Sequence, residues 1–111
     1  MAMSNAILEV TDDNFAREVE GNQGLSMVDF WATWCGPCRM VAPIVEDLAG
    51  VYAAKGLKVA KMDVDANPST PSRYQIRSIP TILFFRGGKL VDHVIGFVPR
   101  PNLEEKILKH L

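Results

Sequence analysis

The sequence predicts an α/β protein with a mixed sheet and helices on its faces. Strand-like and helix-like runs follow one another in the order β-α-β-α-β-α-β-β-α, and Gly87-Gly88 marks a tight hairpin between the last two strands. The hairpin makes those two strands antiparallel, whereas strands that are joined through helices can be parallel. The length of 111 residues fits a single domain, with residues 1–5 as a flexible extension.

The first half of the chain predicts two strands and two helices. Residues 7–10 form a short strand, and Thr11 is expected to cap a helix that ends near Gly21. The nearly continuous apolar run over residues 25–32 predicts a central strand that is covered on both faces. An apolar stripe at helical spacing then predicts a long helix over residues 35–54.

The second half predicts three strands and two helices. The strands cover residues 57–63, 80–86 and 89–94. Asn67-Pro68 is a good N-cap and first-turn pair for a short helix that runs to about Tyr74. A loop over residues 96–101 leads to a last helix that begins at Asn102.

The bulk composition excludes several classes of partner. The net charge is −1 and no run of Lys or Arg stands out, which argues against nucleic acid or an anionic membrane. No apolar run reaches the ~20 residues of a membrane span, and the start of the chain does not resemble a signal peptide. We therefore expect the cytoplasm, a compartment where structural disulfides are rare. We also expect a monomer.

Cys35 and Cys38 are the only cysteines, and they lie at a predicted strand-to-helix junction, which indicates redox chemistry. A structural bridge and half of a metal site are the alternatives. Zinc needs four ligands at suitable spacing. The only further Cys or His candidates are His93 and His110, which lie far along the chain, so we expect no metal.

The two cysteines have different expected roles. Cys35, at the helix start, faces unpaired N–H groups and the positive end of the helix dipole, which favour its thiolate. Cys38 lies one turn further on and is expected to be more buried. In the predicted reaction Cys35 attacks a substrate disulfide, and Cys38 then attacks Cys35 and releases the reduced substrate.

Asp29 interrupts the apolar central strand, so it is expected to be buried. One interpretation is a satisfied buried carboxylate, paired with Lys61. The other is a proton acceptor for Cys38, because burial raises the pKa of a carboxyl group and makes it a usable base near neutral pH. Lys61 would then modulate this base. Trp31 is interpreted as a packing residue.

Several motifs along the chain carry a family resemblance. They are Val28-Asp29-Phe30-Trp31-Ala32, Trp34-Cys35-Gly36-Pro37-Cys38, Ala42-Pro43, Asp63-Val64-Asp65, Tyr74-Gln75-Ile76-Arg77-Ser78-Ile79-Pro80-Thr81 and Gly96. With them the sequence resembles the thioredoxin family over nearly its whole length. The resemblance implies a thioredoxin fold, with a central five-stranded mixed sheet and four flanking helices. It also implies that Pro80 is cis and lies beside the cysteines.

The resemblance implies a function as well: a thiol–disulfide oxidoreductase that reduces protein disulfides and maintains the redox balance of the cell. It favours the proton-acceptor role for Asp29 and a flavin-containing, NADPH-dependent thioredoxin reductase as partner, with no cofactor in the protein itself. The implied substrate-binding rim consists of Trp34, Gly36, Pro37, Ile79, Pro80 and Gly96. An oxidant or isomerase, and a binding module with incidental thiols, are the alternatives. Thr33 and Pro71 depart from the usual family pattern.

Overall fold

A computed structural model describes residues 7–111 of the chain. Its strands, β1 to β5, are Ile7–Glu9, Leu25–Trp31, Lys58–Asp63, Thr81–Arg86 and Lys89–Ile95. Its helices are a π-helical segment, Ala16–Glu20, then α1 (Gly36–Tyr52, extended by a 3₁₀ turn, Ala53–Lys55), α2 (Ser69–Arg73) and α3 (Arg100–His110). The predicted order of elements and the α/β class are confirmed. The predicted flexible extension, residues 1–5, lies outside the described residues.

The five strands form one mixed sheet in the order β1-β3-β2-β4-β5. β1, β3 and β2 are parallel, and β4 and β5 are antiparallel to their neighbours. β2 lies at the centre and is buried from Leu25 to Phe30, as a strand covered on both faces should be. Because β2 and β3 are parallel, Trp31 and Asp63 end the two strands side by side. The segments that follow both strands therefore meet at one edge of the sheet.

Each face of the sheet carries its own hydrophobic core. Residues of α1 and α3, such as Leu48 and Leu103, pack on one face. The other face is covered by Phe15 near the π-helical segment, whose ring meets Phe85 edge to face at 5.7 Å between centroids. A fully buried side chain of this size contributes about 1.5–3 kcal/mol. The two cores hold the sheet as a rigid base for the loops at its edge.

The first predicted helix is shorter than expected and of a different type. Thr11 does begin a turn, since its Oγ1 accepts the Asn14 N–H at 3.2 Å. Regular helix starts only at Ala16, and the Gly21 N–H donates to the Ala16 carbonyl five positions back at 2.8 Å. The carboxylate of Asp12, the residue after Thr11, accepts the backbone N–H of Thr70 in α2 at 2.8 Å.

Two predicted helix starts are also wrong. Pro68, not Asn67, occupies the N-cap of α2, because the Asn67 side chain is engaged elsewhere: its Oδ1, the atom that would cap the helix, accepts the Asp12 N–H at 2.9 Å. The last helix begins at Arg100 rather than at Asn102. A proline is tolerated in the first helical turn, so Pro101 extends this helix instead of ending the loop.

Within residues 7–111, none of the helices combines the length and the apolar character that crossing a bilayer requires.

Candidate active site

Cys35 and Cys38 form a disulfide at the N-terminus of α1, with 5.3 Å between their Cα atoms. Cys35 is the N-cap, and its φ of −89° and ψ of 109° are those of an extended residue. The observed helix therefore starts at Gly36, one position after the predicted start at Cys35. Because Cys35 stands outside the helix, its side chain turns back over the first turn, and the separation lies in the usual range for a disulfide.

The first turn of α1 presents a hydrogen-bond donor to the Cys35 sulfur. The Cys38 N–H donates to Cys35 Sγ at 3.2 Å. Pro37 has no N–H and cannot donate to the sulfur, so the bond comes from the Cys38 N–H. A sulfur at a helix N-terminus with such a donor is stabilised as a thiolate once the disulfide is reduced.

The expected difference in burial between the two cysteines is not observed. Both residues are 3% exposed. Cys35 is covered as fully as Cys38 because Ile79 and Val64 pack against the pair. The chemical difference between the sulfurs thus comes from their positions at the helix end and not from their overall exposure.

Ile79, Pro80 and Gly96 lie together beside Cys35. The Ile79–Pro80 bond is cis, as the resemblance implies, and the Ile79 carbonyl oxygen is 3.8 Å from Cys35 Sγ. The Gly96 N–H donates to the Pro80 carbonyl at 2.8 Å. Gly96 has a φ of +85°, a conformation that a residue with a Cβ adopts at a cost. Two segments that are distant from the cysteines in sequence therefore form one wall of the cysteine site.

The surface around the cysteines is apolar and exposed. Trp34 is 67% exposed, and Gly36 and Pro37 are exposed beside it. The Trp34 indole N–H donates to Asp65 Oδ2 at 2.8 Å. Asp65 belongs to the Asp63-Val64-Asp65 motif, and the sequence alone indicates no role for it. The parallel pairing of β2 and β3 was the available signal, since it brings the residues after each strand together.

Asp29 is 4% exposed, so its predicted burial is confirmed. Its Oδ1 is buried and has no hydrogen-bond partner in the part of the chain that the structure describes, which speaks against a fully satisfied carboxylate. Burial raises the pKa of Asp29 from its ordinary value to about 7, against the opposing charge of Lys61. Small changes of pH around neutrality therefore change the fraction of Asp29 that is ionised.

A cavity of about 340 Å³ connects Asp29 with Cys38, since both residues line it. Its other lining residues are Ile7, Trp31, Ala32, Thr33, Arg39, Ala42, Val45, Glu46 and Lys61. A space of this size between a buried carboxylate and a thiol can hold water molecules that carry a proton from one to the other.

Lys61 lies next to Asp29 but does not form an ion pair with it among the described residues. The two are register partners on β3 and β2. The Lys61 ammonium instead lies over the ring of Trp31, 5.5 Å from its centroid. Trp31, which the sequence indicated only as packing, is thus in contact with a charge at the site.

Comparison with known proteins identifies the family. The family model "Thioredoxin" matches residues 6–109. The chain is 52% identical to a thioredoxin of Staphylococcus saprophyticus over 106 residues, which cover 96% of this chain and 99% of that protein. Thioredoxins of Staphylococcus aureus and Staphylococcus haemolyticus match over the same shares at 52% and 51% identity.

These matches indicate the function of the disulfide-bonded cysteines at the start of α1. A disulfide-capable Cys-Gly-Pro-Cys pair in such a chain is the redox site of a thiol–disulfide oxidoreductase, with protein-disulfide reductase activity. The chain belongs to the thioredoxin family.

Proposed function

We propose that this protein is a dithiol reductant of protein disulfides in which Cys35 attacks and Cys38 resolves. The observation that carries the assignment is the hydrogen bond from the Cys38 N–H to Cys35 Sγ, 3.2 Å long, at the N-terminus of α1. This donor and the helix dipole stabilise negative charge on Cys35 more than on Cys38. The attacking thiol of the pair is therefore Cys35.

The reaction proceeds in two exchanges. The Cys35 thiolate attacks one sulfur of a client disulfide, forms a mixed disulfide and releases the other client sulfur as a thiolate, which takes up a proton. Cys38 then loses its proton and attacks Cys35 Sγ. The second client sulfur leaves as a thiolate, and the protein is left with the Cys35–Cys38 disulfide. Two electrons have moved from the protein to the client.

Asp29 is the proposed acceptor of the Cys38 proton. Three observations support this role. Asp29 and Cys38 line the same cavity, and Asp29 Oδ1 has no hydrogen-bond partner among residues 7–111. Burial also raises the pKa of Asp29 to about 7. Lys61 is the proposed modulator, because its positive charge favours the ionised form of Asp29.

Client proteins are proposed to dock on the apolar rim around Cys35. The rim consists of Trp34, Gly36, Pro37, Ile79, Pro80 and Gly96. Its support is that Trp34, Gly36 and Pro37 are exposed. Ile79 and Gly96 are half-buried beside the buried Pro80, and the Ile79 carbonyl oxygen lies 3.8 Å from Cys35 Sγ. An apolar surface beside the reactive sulfur suits extended segments of many clients.

The remaining proposals follow from the family. A flavin-containing thioredoxin reductase would return the oxidised pair to the dithiol with electrons from NADPH, so that the chain needs no cofactor of its own. The protein would act as a cytoplasmic monomer with one domain over residues 1–111, as a carrier of electrons that maintains the redox balance of the cell.

The test is reduction of insulin disulfides with and without a thioredoxin reductase and NADPH. Wild-type protein should reduce insulin in both the dithiol-driven and the reductase-driven assay. Cys35→Ser should be inactive, and Cys38→Ser should accumulate a mixed disulfide with the client that mass spectrometry detects. Cys38→Ser inactive and Cys35→Ser trapping the client would reverse the two roles.

The same variants separate the alternatives. Full biological activity of both serine variants would favour a binding module with incidental thiols. A reduction potential well above that of cytosolic glutathione would favour an oxidant or isomerase.

A further inference from the structure

We propose that Trp31 is a positioning residue for the reaction: its indole ring holds the Lys61 ammonium at the cavity that Asp29 shares with Cys38. The inference rests on the proposed role of Asp29 as the base. It assigns a functional role to Trp31 in addition to packing. It also explains how Lys61 acts on Asp29 without forming an ion pair with it.

The sheet places the three side chains on one face. Asp29 and Trp31 are two positions apart on β2, so their side chains point the same way. Lys61 is the register partner of Asp29 on the adjacent strand β3. All three line the same cavity. Their proximity therefore follows from strand geometry and does not depend on loop conformation.

Two carboxylates lie beside Lys61 in the sheet, and its ammonium forms an ion pair with neither of them among the described residues. Lys61 faces Asp29 across β2 and Glu9 across β1 in the register of the sheet. No ion pair of Lys61 with either group exists among the described residues, and Nζ lies 5.5 Å from the centroid of the Trp31 ring. A cation at this distance over an indole face is attracted by roughly 0.5–1 kcal/mol, and by more when it is shielded from water.

The charges around Asp29 make the location of this ammonium important. β4 contributes only the apolar Ile82 at the neighbouring register position. From α1, Glu46 and Arg39 line the cavity, but the Arg39 guanidinium donates to the Thr33 carbonyl at 2.6 Å. Lys61 is the cation on the strand beside Asp29, and its charge opposes the effect of burial there. An ammonium that moved out to Glu9 or to water would leave that burial unopposed.

A positioning role and a packing role predict opposite signs. If Trp31 only packed, a smaller side chain would admit water to Asp29 and would lower its pKa. If Trp31 holds Lys61, the same substitution would release the ammonium and would raise the pKa of Asp29. The sign of the change therefore separates the two roles.

The experiment is a ¹³C NMR titration of the Asp29 carboxyl in the oxidised protein, in which the cysteines do not titrate. Trp31→Leu and Lys61→Met should each raise the midpoint, by on the order of half a pH unit. In the Lys61→Met background, Trp31→Leu should add nothing further, because the charge through which Trp31 acts is gone. A midpoint that stays or falls in Trp31→Leu overturns the proposal, as does an equal rise in the two backgrounds.

A second measurement avoids any change of shape. Fluorotryptophan in a Trp34→Phe background weakens the negative face of Trp31 but leaves its packing almost unchanged. The Asp29 midpoint should rise with each added fluorine when Lys61 is present, and it should be constant in Lys61→Met. A constant midpoint in both backgrounds overturns the proposal even if Trp31→Leu fails to fold.

Failure of the base role is seen in a different assay. If Asp29 is not the base, Asp29→Asn will keep the wild-type pH profile of insulin reduction. The titrations of Trp31 and Lys61 variants still report whether the ring positions the ammonium.

Discussion

The indole N–H of Trp34 donates to the carboxylate of Asp65 at 2.8 Å and ties the residue before Cys35 to the segment after β3. Two-thirds of the Trp34 surface is open to solvent, so few packing contacts restrain the ring. Asp65 is itself held, because its backbone N–H donates to Asp63 Oδ1 at 2.9 Å. The orientation of the largest exposed side chain at the site thus depends on one hydrogen bond.

Asp65→Ala should weaken the docking of protein clients and leave the chemical step unchanged. Loss of one charge-assisted hydrogen bond of about 1 kcal/mol frees the Trp34 ring, which corresponds to an increase in KM of roughly five-fold. Insulin reduction at varied insulin concentration measures KM and kcat separately. Reduction of a small aromatic disulfide is the control and should be unaffected. A loss of kcat with unchanged KM would show that Asp65 acts on the cysteines instead.

The free energy of unfolding of the oxidised protein should fall as the pH rises from about 4 to about 7. Asp29 has a folded pKa of about 7, above its ordinary value of 3.8, because burial disfavours its ionised form. The folded state then holds a proton that the unfolded state has lost, so this stabilising contribution is complete below 3.8 and is lost as the pH rises through 7.

Asp29→Ala removes this titration. Relative to wild type, the variant should gain stability between pH 4 and pH 8, up to about 4 kcal/mol, and should reduce disulfides more slowly. Denaturant unfolding at several pH values measures the first effect, and insulin reduction the second. A constant stability difference across this range would contradict a raised pKa. Unchanged reduction rates from about pH 6 to 9 would contradict the base role.

Gly88→Ala should destabilise the protein by about 2–4 kcal/mol. Gly88 has a φ of +82°, and a Cβ at this position would overlap the carbonyl oxygen of Glu20 at the end of the π-helical segment. Gly50→Ala is the matched control, since it lies in α1 with open space around it and should stabilise by about 0.5–1 kcal/mol. Thermal unfolding of both variants checks the pair, and equal Tm changes would be contrary to this account.

Asp92→Asn should destabilise the protein at neutral pH by about 2 kcal/mol and have less effect in acid. Burial disfavours the charge of Asp92, but hydrogen bonds from Lys106 at 2.8 Å and His110 at 3.0 Å hold its pKa below the ordinary value. The stability from this carboxylate is present above its unfolded pKa and is lost as the pH falls towards the folded one. Denaturant unfolding at pH 7 and at pH 3 measures both, and a larger effect at pH 3 would contradict the sign.

Local patterns in the sequence were enough to predict the α/β class, the order of the elements and the redox pair. These features depend on local signals: apolar runs of strand or helix period, Gly87-Gly88 at the hairpin, and the spacing of Cys35 and Cys38. The burial of Asp29 was also predictable, because both faces of the central strand are apolar. Such signals involve residues close together in the chain, and tertiary packing left them unchanged.

The pairing of groups that are distant in sequence could not be predicted and depends on the tertiary fold. The Asp12 carboxylate, which follows β1, caps α2, and the Trp34 indole, which follows β2, bonds Asp65. Both contacts form because adjacent parallel strands bring their C-terminal ends to one edge of the sheet. The position of the Lys61 ammonium over Trp31, rather than on Asp29, depends on side-chain competition across three strands. The pattern of residues along a strand predicts which side chains face the same way. It does not predict which of several neighbouring groups a charged side chain will contact.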